Sequence, residues 1–145
     1  MKKVLMILGL VSFGLSTRAQ EDINPDAQTK YNEGISAFES KNYTEAISKF
    51  TEAISLEPKY GKAYFNRGSV YLQKQDYDKA INDFDKAAQY LDSSQTAYFM
   101  KGTACFDKGD YAAAEQAYTK AIEKKNDEAK YFYNRGVALF QQEKY

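Results

Sequence analysis

The sequence predicts an all-α solenoid of antiparallel helix hairpins, with three full repeats and one further helix. Three observations predict it. Gly34, Gly68, Gly102 and Gly136 recur at one fixed interval, and Tyr43, Tyr77, Tyr111 and Tyr145 recur at the same interval. The same period carries Ala46, Ala80 and Ala114, then Phe50, Phe84 and Tyr118, then Ala53, Ala87 and Ala121. Inside one unit the apolar and small residues recur at helical spacing, as in Tyr64, Gly68, Tyr71 and Leu72, then Ala80, Ile81, Phe84, Ala87 and Ala88. A fixed period of roughly 34 residues means stacked units, none of which buries its apolar face alone. The inner spacing makes each unit a pair of amphipathic helices.

The N-terminal stretch stands apart from the repeats. Lys2 and Lys3 precede an apolar run from Val4 to Leu15, and "STRA" follows, ending at Ala19. The run is shorter than the ~20 residues of a membrane-spanning helix, and Thr17 and Ala19 suit a signal peptidase cutting before Gln20. Residues 1–19 therefore read as a secretory signal peptide. The protein is expected to be exported to the periplasm or cell exterior, with no membrane span once the signal is cleaved. Residues 20–26 form a polar lead.

The repeats follow in order: 27–60, 61–94, 95–128, and 129–145 as the first helix of an incomplete fourth. Short polar turns, "SKNY", "KQDY" and "KGDY", separate the two helices of each unit, and "EPKYG", "LDSSQ" and "KKNDE" separate the units. Glycine inside a helix costs about 1 kcal/mol relative to alanine, so four at one period indicate a packing requirement. They let paired backbones approach closely, with Phe50, Phe84 and Tyr118 filling the remaining gaps.

This repeated order of aromatic, Gly, Tyr, Ala, Phe and Ala resembles the tetratricopeptide repeat family, and the likeness covers the chain after the polar lead. Pro58 closes the first repeat, as in the family, whereas Asp92 and Asn126 occupy that place in the second and third. The fourth position is Tyr64, Tyr98 and Phe132 in later repeats but Lys30 in the first. That ring is expected to pack on the preceding unit, which the first repeat lacks. The fourth phrase stops where its earlier copy runs on into "DKAINDFDKA". The sequence accordingly reads as a fragment of a longer protein, with a native capping helix as the other possibility.

Composition excludes several function classes. Without His and with one Cys, the chain cannot build histidine triads, histidine zinc sites or thiolate clusters. It has no Walker A and no G-x-G-x-x-G. Glu45, Glu52, Asp83, Asp85, Glu115 and Glu123 read as a solvated, charge-balanced surface rather than as general acids and bases. No enzyme activity, cofactor or metal is expected. Loss of residues 1–19 removes Lys2, Lys3 and Arg18 and no acid, leaving the mature chain with a small excess of acid. A nucleic-acid partner does not fit that charge. Cys105 reads as a buried small apolar residue.

What the resemblance implies is a binding surface. In the family the first helices line a concave groove. The fifth repeat position supplies Tyr31, Phe65, Phe99 and Tyr133; the ninth, Ile35, Ser69, Thr103 and Val137; the twelfth, Phe38, Leu72, Phe106 and Phe140. Lys62 and Lys130 join a polar rim at the second position. The family's carboxylate clamp for chaperone C-termini is not matched, since only Asn66 or Lys130 fits it in either register. The expected function is a non-enzymatic scaffold binding a protein or peptide segment on these aromatic residues. A self-associating module, forming a homo-oligomer through an open C-terminal edge, is one alternative. An interaction domain of a longer enzyme or transport-linked protein is the other.

Overall fold

The computed structural model describes residues 23–142. The expected signal peptide, residues 20–22 of the lead and Tyr145 lie outside that range. Seven α-helices and no strands occur among the described residues: α1 (Pro25–Glu39), α2 (Tyr43–Leu56), α3 (Gly61–Gln73), α4 (Tyr77–Tyr90), α5 (Gln95–Lys108), α6 (Tyr111–Lys124) and α7 (Ala129–Gln142). None is long and apolar enough to cross a membrane. The first helix starts two positions before the repeat phrase. Pro25 presets its first turn, and the Asn24 side chain accepts from the Asp26 amide at 2.9 Å.

Each of the three hairpin turns is built the same way. The amide of Asn42 donates to the Ala37 carbonyl at 2.8 Å, and those of Asp76 and Asp110 donate to Tyr71 and Cys105, each at 2.9 Å. A companion bond runs from Lys41 to Phe38, Gln75 to Leu72 and Gly109 to Phe106. This closure uses one left-handed residue, found at Lys41 (φ 58°), Gln75 (φ 60°) and Gly109 (φ 89°). Only the third turn fills that place with the residue that adopts it freely.

Helices pack chiefly on their neighbours in sequence, α1 on α2, α2 on α3 and so on to α6 on α7, while α1 touches α3, and α3 touches α5, only lightly. Within hairpins the glycines carve slots for rings. A Cβ on Gly34 would stand 2.6 Å from Cε1 of Phe50, and one on Gly102 would stand 2.5 Å from Cε1 of Tyr118. At Gly68 the nearest atoms are Cε1 of Phe84 at 3.1 Å and Cβ of Asp83 at 3.2 Å. The close approach expected between backbones is therefore made by backbone to ring. Phe50 and Phe84 are fully buried, Tyr118 nearly so, and each such ring contributes roughly 1.5–3 kcal/mol. Ala46, Ala80 and Ala114 are likewise fully buried.

Between hairpins, contact falls on the third and tenth positions. Ala63 joins Ala27, Ala53 and Tyr60. Val70 packs with Ala37, Ala46 and Phe50; Ala104 with Ala80 and Phe84; Ala138 with Cys105, Ala114 and Tyr118. The fourth-position ring does not serve this contact, contrary to the sequence expectation. Tyr64 lies against Tyr90 with centroids 5.9 Å apart, and Lys120 sits 5.6 Å above the Tyr98 ring. Both partners belong to the second helix of the same hairpin. Lys30 likewise reaches Glu52 on its own α2 at 3.4 Å. The reason is periodicity: the fourth position lies one turn before the glycine, on the face turned to the paired helix.

Candidate functional site

The fifth- and twelfth-position residues sit on α1, α3, α5 and α7, and none of those on α1, α3 and α5 is wholly open. Tyr31 stacks between Phe50 and Tyr60, with centroids 5.8 and 5.1 Å away. Phe65 meets Phe84 edge-on at 5.6 Å, and Leu72 joins it on the cluster around Ala80, Phe84 and Ala104. Phe99 lies 5.6 Å from Tyr118 and 5.1 Å from Tyr131. Phe38 leans on Tyr43 at 6.0 Å and Phe106 on Tyr111 at 5.1 Å. All six are half-buried, with one side on the core and the other toward solvent. Ile35, Ser69, Thr103 and Val137 are half-buried beside them.

On α7 the same positions are open. Tyr133 is 72% exposed and Phe140 55%. Two things that cover the earlier rings are missing there among the described residues: a second helix of the same unit and a following unit.

Polar groups tie neighbouring first helices together along this row. Nδ2 of Asn66 donates to the Tyr31 hydroxyl at 3.0 Å. Nζ of Lys130 stands 5.5 Å above the Phe99 ring and 5.4 Å from that of Tyr131. Lys62 is exposed at the edge. The Tyr60 hydroxyl donates to Oε1 of Gln28 at 2.8 Å, and burial pushes its pKa up to about 12. Burial also raises the Tyr31 phenol, an effect the Asn66 bond partly offsets.

Two buried rings were not indicated by the repeat pattern. Tyr60 and Tyr131 are 3% and 2% exposed, yet the matching residues in other repeats are Ser94 and Glu128, and Thr29, Ala63 and Ala97. One buried ion pair also departs from expectation. Asp83, expected on a solvated face, is 4% exposed. Arg67 clasps it with two parallel bonds, Nε to Oδ2 at 2.7 Å and Nη2 to Oδ1 at 2.8 Å. Its Nη1 donates to Oγ1 of Thr51 on the preceding hairpin at 2.9 Å, and the guanidinium lies 5.7 and 5.9 Å from the Tyr64 and Tyr71 rings. The signal lay in register, because Asp83 stands next to the buried Phe84 and one turn after Ala80, on the core side of α4.

The pair is structural: its charges are spent on each other and on Thr51. Among the described residues no group of three His, Cys, Asp or Glu is placed to hold a metal ion. Cys105 is buried, and burial pushes its thiol up, away from the reactive thiolate.

Stacked helix hairpins whose first helices carry a row of half-buried rings define a helical-repeat protein of the solenoid class. Comparison with protein families matches "Tetratricopeptide repeat" over residues 31–97 and "TPR repeat" over residues 102–143. The chain belongs to the tetratricopeptide repeat family.

Solved structures similar to it include the Sgt2 TPR domain from Aspergillus fumigatus, with 27% identity and a TM-score of 0.74, covering 83% of this chain and 81% of that one. The TPR2B domain of yeast Sti1, in a complex with pHsp70, is 24% identical with a TM-score of 0.74, covering 81% of this chain and 99% of the other. The second TPR domain of human RPAP3, in complex with the HSP70 peptide SGPTIEEVD, is 22% identical with a TM-score of 0.73, covering 78% of this chain and 94% of the other. Comparison with curated proteins found no match.

Proposed function

We propose that this protein is a non-enzymatic scaffold that holds a segment of another protein along the first helices, on the row formed by Tyr31, Phe38, Phe65, Leu72, Phe99, Phe106, Tyr133 and Phe140. The observation that carries the reading is the half-burial of the rings on α1, α3 and α5, repeated at a fixed step. A ring held on one side by the core and open on the other is a preorganised anchor, since little rotamer freedom remains to be lost on binding. The similar domains of Sti1 and RPAP3 hold chaperone partners, which supports peptide capture as the use of this architecture. The recognition chemistry differs from a carboxylate clamp: Tyr31 and Phe65 occupy the fifth position, and Asn66 is committed to Tyr31. An apolar or aromatic segment with acidic flanks suits the rings together with Lys62 and Lys130.

The test uses variants that spare the core. Removing Phe65 and Phe99 would confound binding with stability, because both rings pack on buried clusters. Ser69→Arg instead fills the row from a side chain whose hydroxyl only returns to the Phe65 carbonyl. A peptide selected from a displayed library on the full chain should lose at least tenfold affinity in Ser69→Arg, with thermal melting unchanged. Lys62→Glu, at an exposed edge position, should weaken acidic peptides without altering the melt. Unchanged affinity in both would overturn the reading. Export belongs to the same proposal, and N-terminal sequencing of the mature protein should begin at Gln20.

A further inference from the structure

Given a segment lying on the ring row, which is the reading just proposed, we infer that a side-chain carboxamide of that segment, from Asn or Gln, is held between Asn66, Ser69 and the Tyr31 hydroxyl. This contact fixes where along the row the segment sits.

Rings repeated at one step cannot fix a position by themselves. Phe65 lies on Phe84 and Phe99 on Tyr118 in the same way, so a segment moved along by one unit meets the same kind of surface. A polar group that occurs once breaks this degeneracy, as one buried polar residue sets the register of packed helices. Such a set exists at the junction of the first two hairpins: a phenol at the fifth position of one unit, with Asn at the sixth and a hydroxyl at the ninth of the next. It occurs once, because the following steps offer Phe65, Met100 and Thr103, then Phe99, Asn134 and Val137.

Internal hydrogen bonds give the set a defined polarity. Nδ2 of Asn66 donates one hydrogen to the Tyr31 hydroxyl at 3.0 Å and the other to the Lys62 carbonyl at 2.9 Å. Only Oδ1 remains, an acceptor without a partner among the described residues. The Ser69 hydroxyl donates to the Phe65 carbonyl at 2.9 Å and likewise keeps lone pairs alone. Tyr31 is the reverse case. Its oxygen accepts from Asn66, which leaves its own hydrogen to be donated. All three side chains are half-buried, and Asn66 and Ser69 share one face of α3 at a spacing of three.

Two acceptors beside one donor select their occupant by hydrogen-bond count. A carboxylate brings no hydrogen for Asn66 or Ser69. An ammonium brings no acceptor for Tyr31 and meets the charge of Lys62 one turn before Asn66. A main-chain peptide group has a single N–H and cannot serve both acceptors. A primary carboxamide carries two hydrogens and one carbonyl oxygen, which is the complement of the set. An apolar side chain would cover all three groups without satisfying any, so it is rejected at the cost of their desolvation.

The probes are peptides selected from a displayed library on the full chain, retained where Ser69→Arg in the protein abolishes their binding. Asn or Gln should be enriched at one place in the retained peptides, and its replacement by Leu, Glu or Lys should each cost about tenfold in affinity. Asn66→Asp in the protein should then invert the order, so that the Lys peptide binds more tightly than its parent. A reversed ranking within one variant cannot come from loss of folding. The inference is overturned, with the ring row still the binding surface, if no carboxamide is enriched, if Leu serves as well, or if the ranking survives Asn66→Asp. If no selected peptide responds to Ser69→Arg, the ring row is not the binding surface and both readings fall together.

Discussion

Helices α3 and α7 spell nearly the same phrase, "FNRGSVYL" and "YNRGVALF", and do opposite things with it. In α3 the glycine holds a ring against its backbone, the arginine is 16% exposed with a paired carboxylate, and the ring at Tyr64 lies on Tyr90. In α7 the glycine faces open space, the arginine has no carboxylate among the described residues, and Phe132 is 42% exposed. Burial in this architecture is thus a property of the neighbouring helix as much as of the residue. A repeat unit cannot be read as core until its partner is known.

The largest test of that contrast is at the arginines. Arg67→Ala leaves Asp83 buried without its counter-charge and should cost about 3 kcal/mol in urea unfolding. Arg135→Ala should change stability by less than about 0.5 kcal/mol. Equal effects at the two sites would dissolve the distinction between α3 and α7.

The glycines should differ in sign. Gly102→Ala forces a methyl into the Tyr118 ring, an overpacking cost of about 2 kcal/mol. Gly136→Ala meets nothing and should raise the helicity of α7, contributing up to about 1 kcal/mol. Thermal melts of the pair, followed by circular dichroism, decide the point.

Alkaline pH tests the buried Tyr60 phenol at the junction of the first two hairpins. Tyr60 ionises near 10 in the unfolded chain but only at about 12 in the fold, so above pH 10 the unfolded state has released its proton while the native state still holds one. Stability falls with rising pH from 10 to 12, on the order of 1 kcal/mol by pH 11, and is fully retained below 10. Urea melts across that window should lose this slope in Tyr60→Phe.

The smallest effect belongs to Lys79, whose pair with Asp76 at 2.7 Å lies on the surface, the lysine 62% exposed. Lys79→Ala should move the urea midpoint by the equivalent of less than about 0.5 kcal/mol. A cost approaching that of Arg67→Ala would mean that burial is not what gives the Arg67 pair its weight.

The residues that repeat with little variation made the architecture legible. Gly34, Phe50, Ala46 and their counterparts mark both helices of every hairpin, because each hairpin needs the same slot and a phenyl or phenol ring to fill it. The parts that vary from unit to unit were opaque. Tyr60 and Tyr131 stand where other units have Ser, Glu, Thr or Ala, so no period announced their burial. Asp83 looked like one more acid on a polar face until Arg67 was seen beside it. The ring row was legible as positions, but sequence cannot tell a ring lying on the core from one lying over it; Phe65 and Phe99 do both.

The alternation of charge beside the ring slots has a consequence for how the chain finds its fold. Hairpins this alike invite wrong pairing, α3 seizing α2 before α4 is available. With Glu33 matched to Lys49, and Arg67 to Asp83, such an error would place Arg67 against Lys49 in a poorly solvated slot. The mismatch would disfavour that pairing, so the signs favour α2 for α1 and α4 for α3, while the third hairpin, with Ala117 beside its ring, carries no such sign.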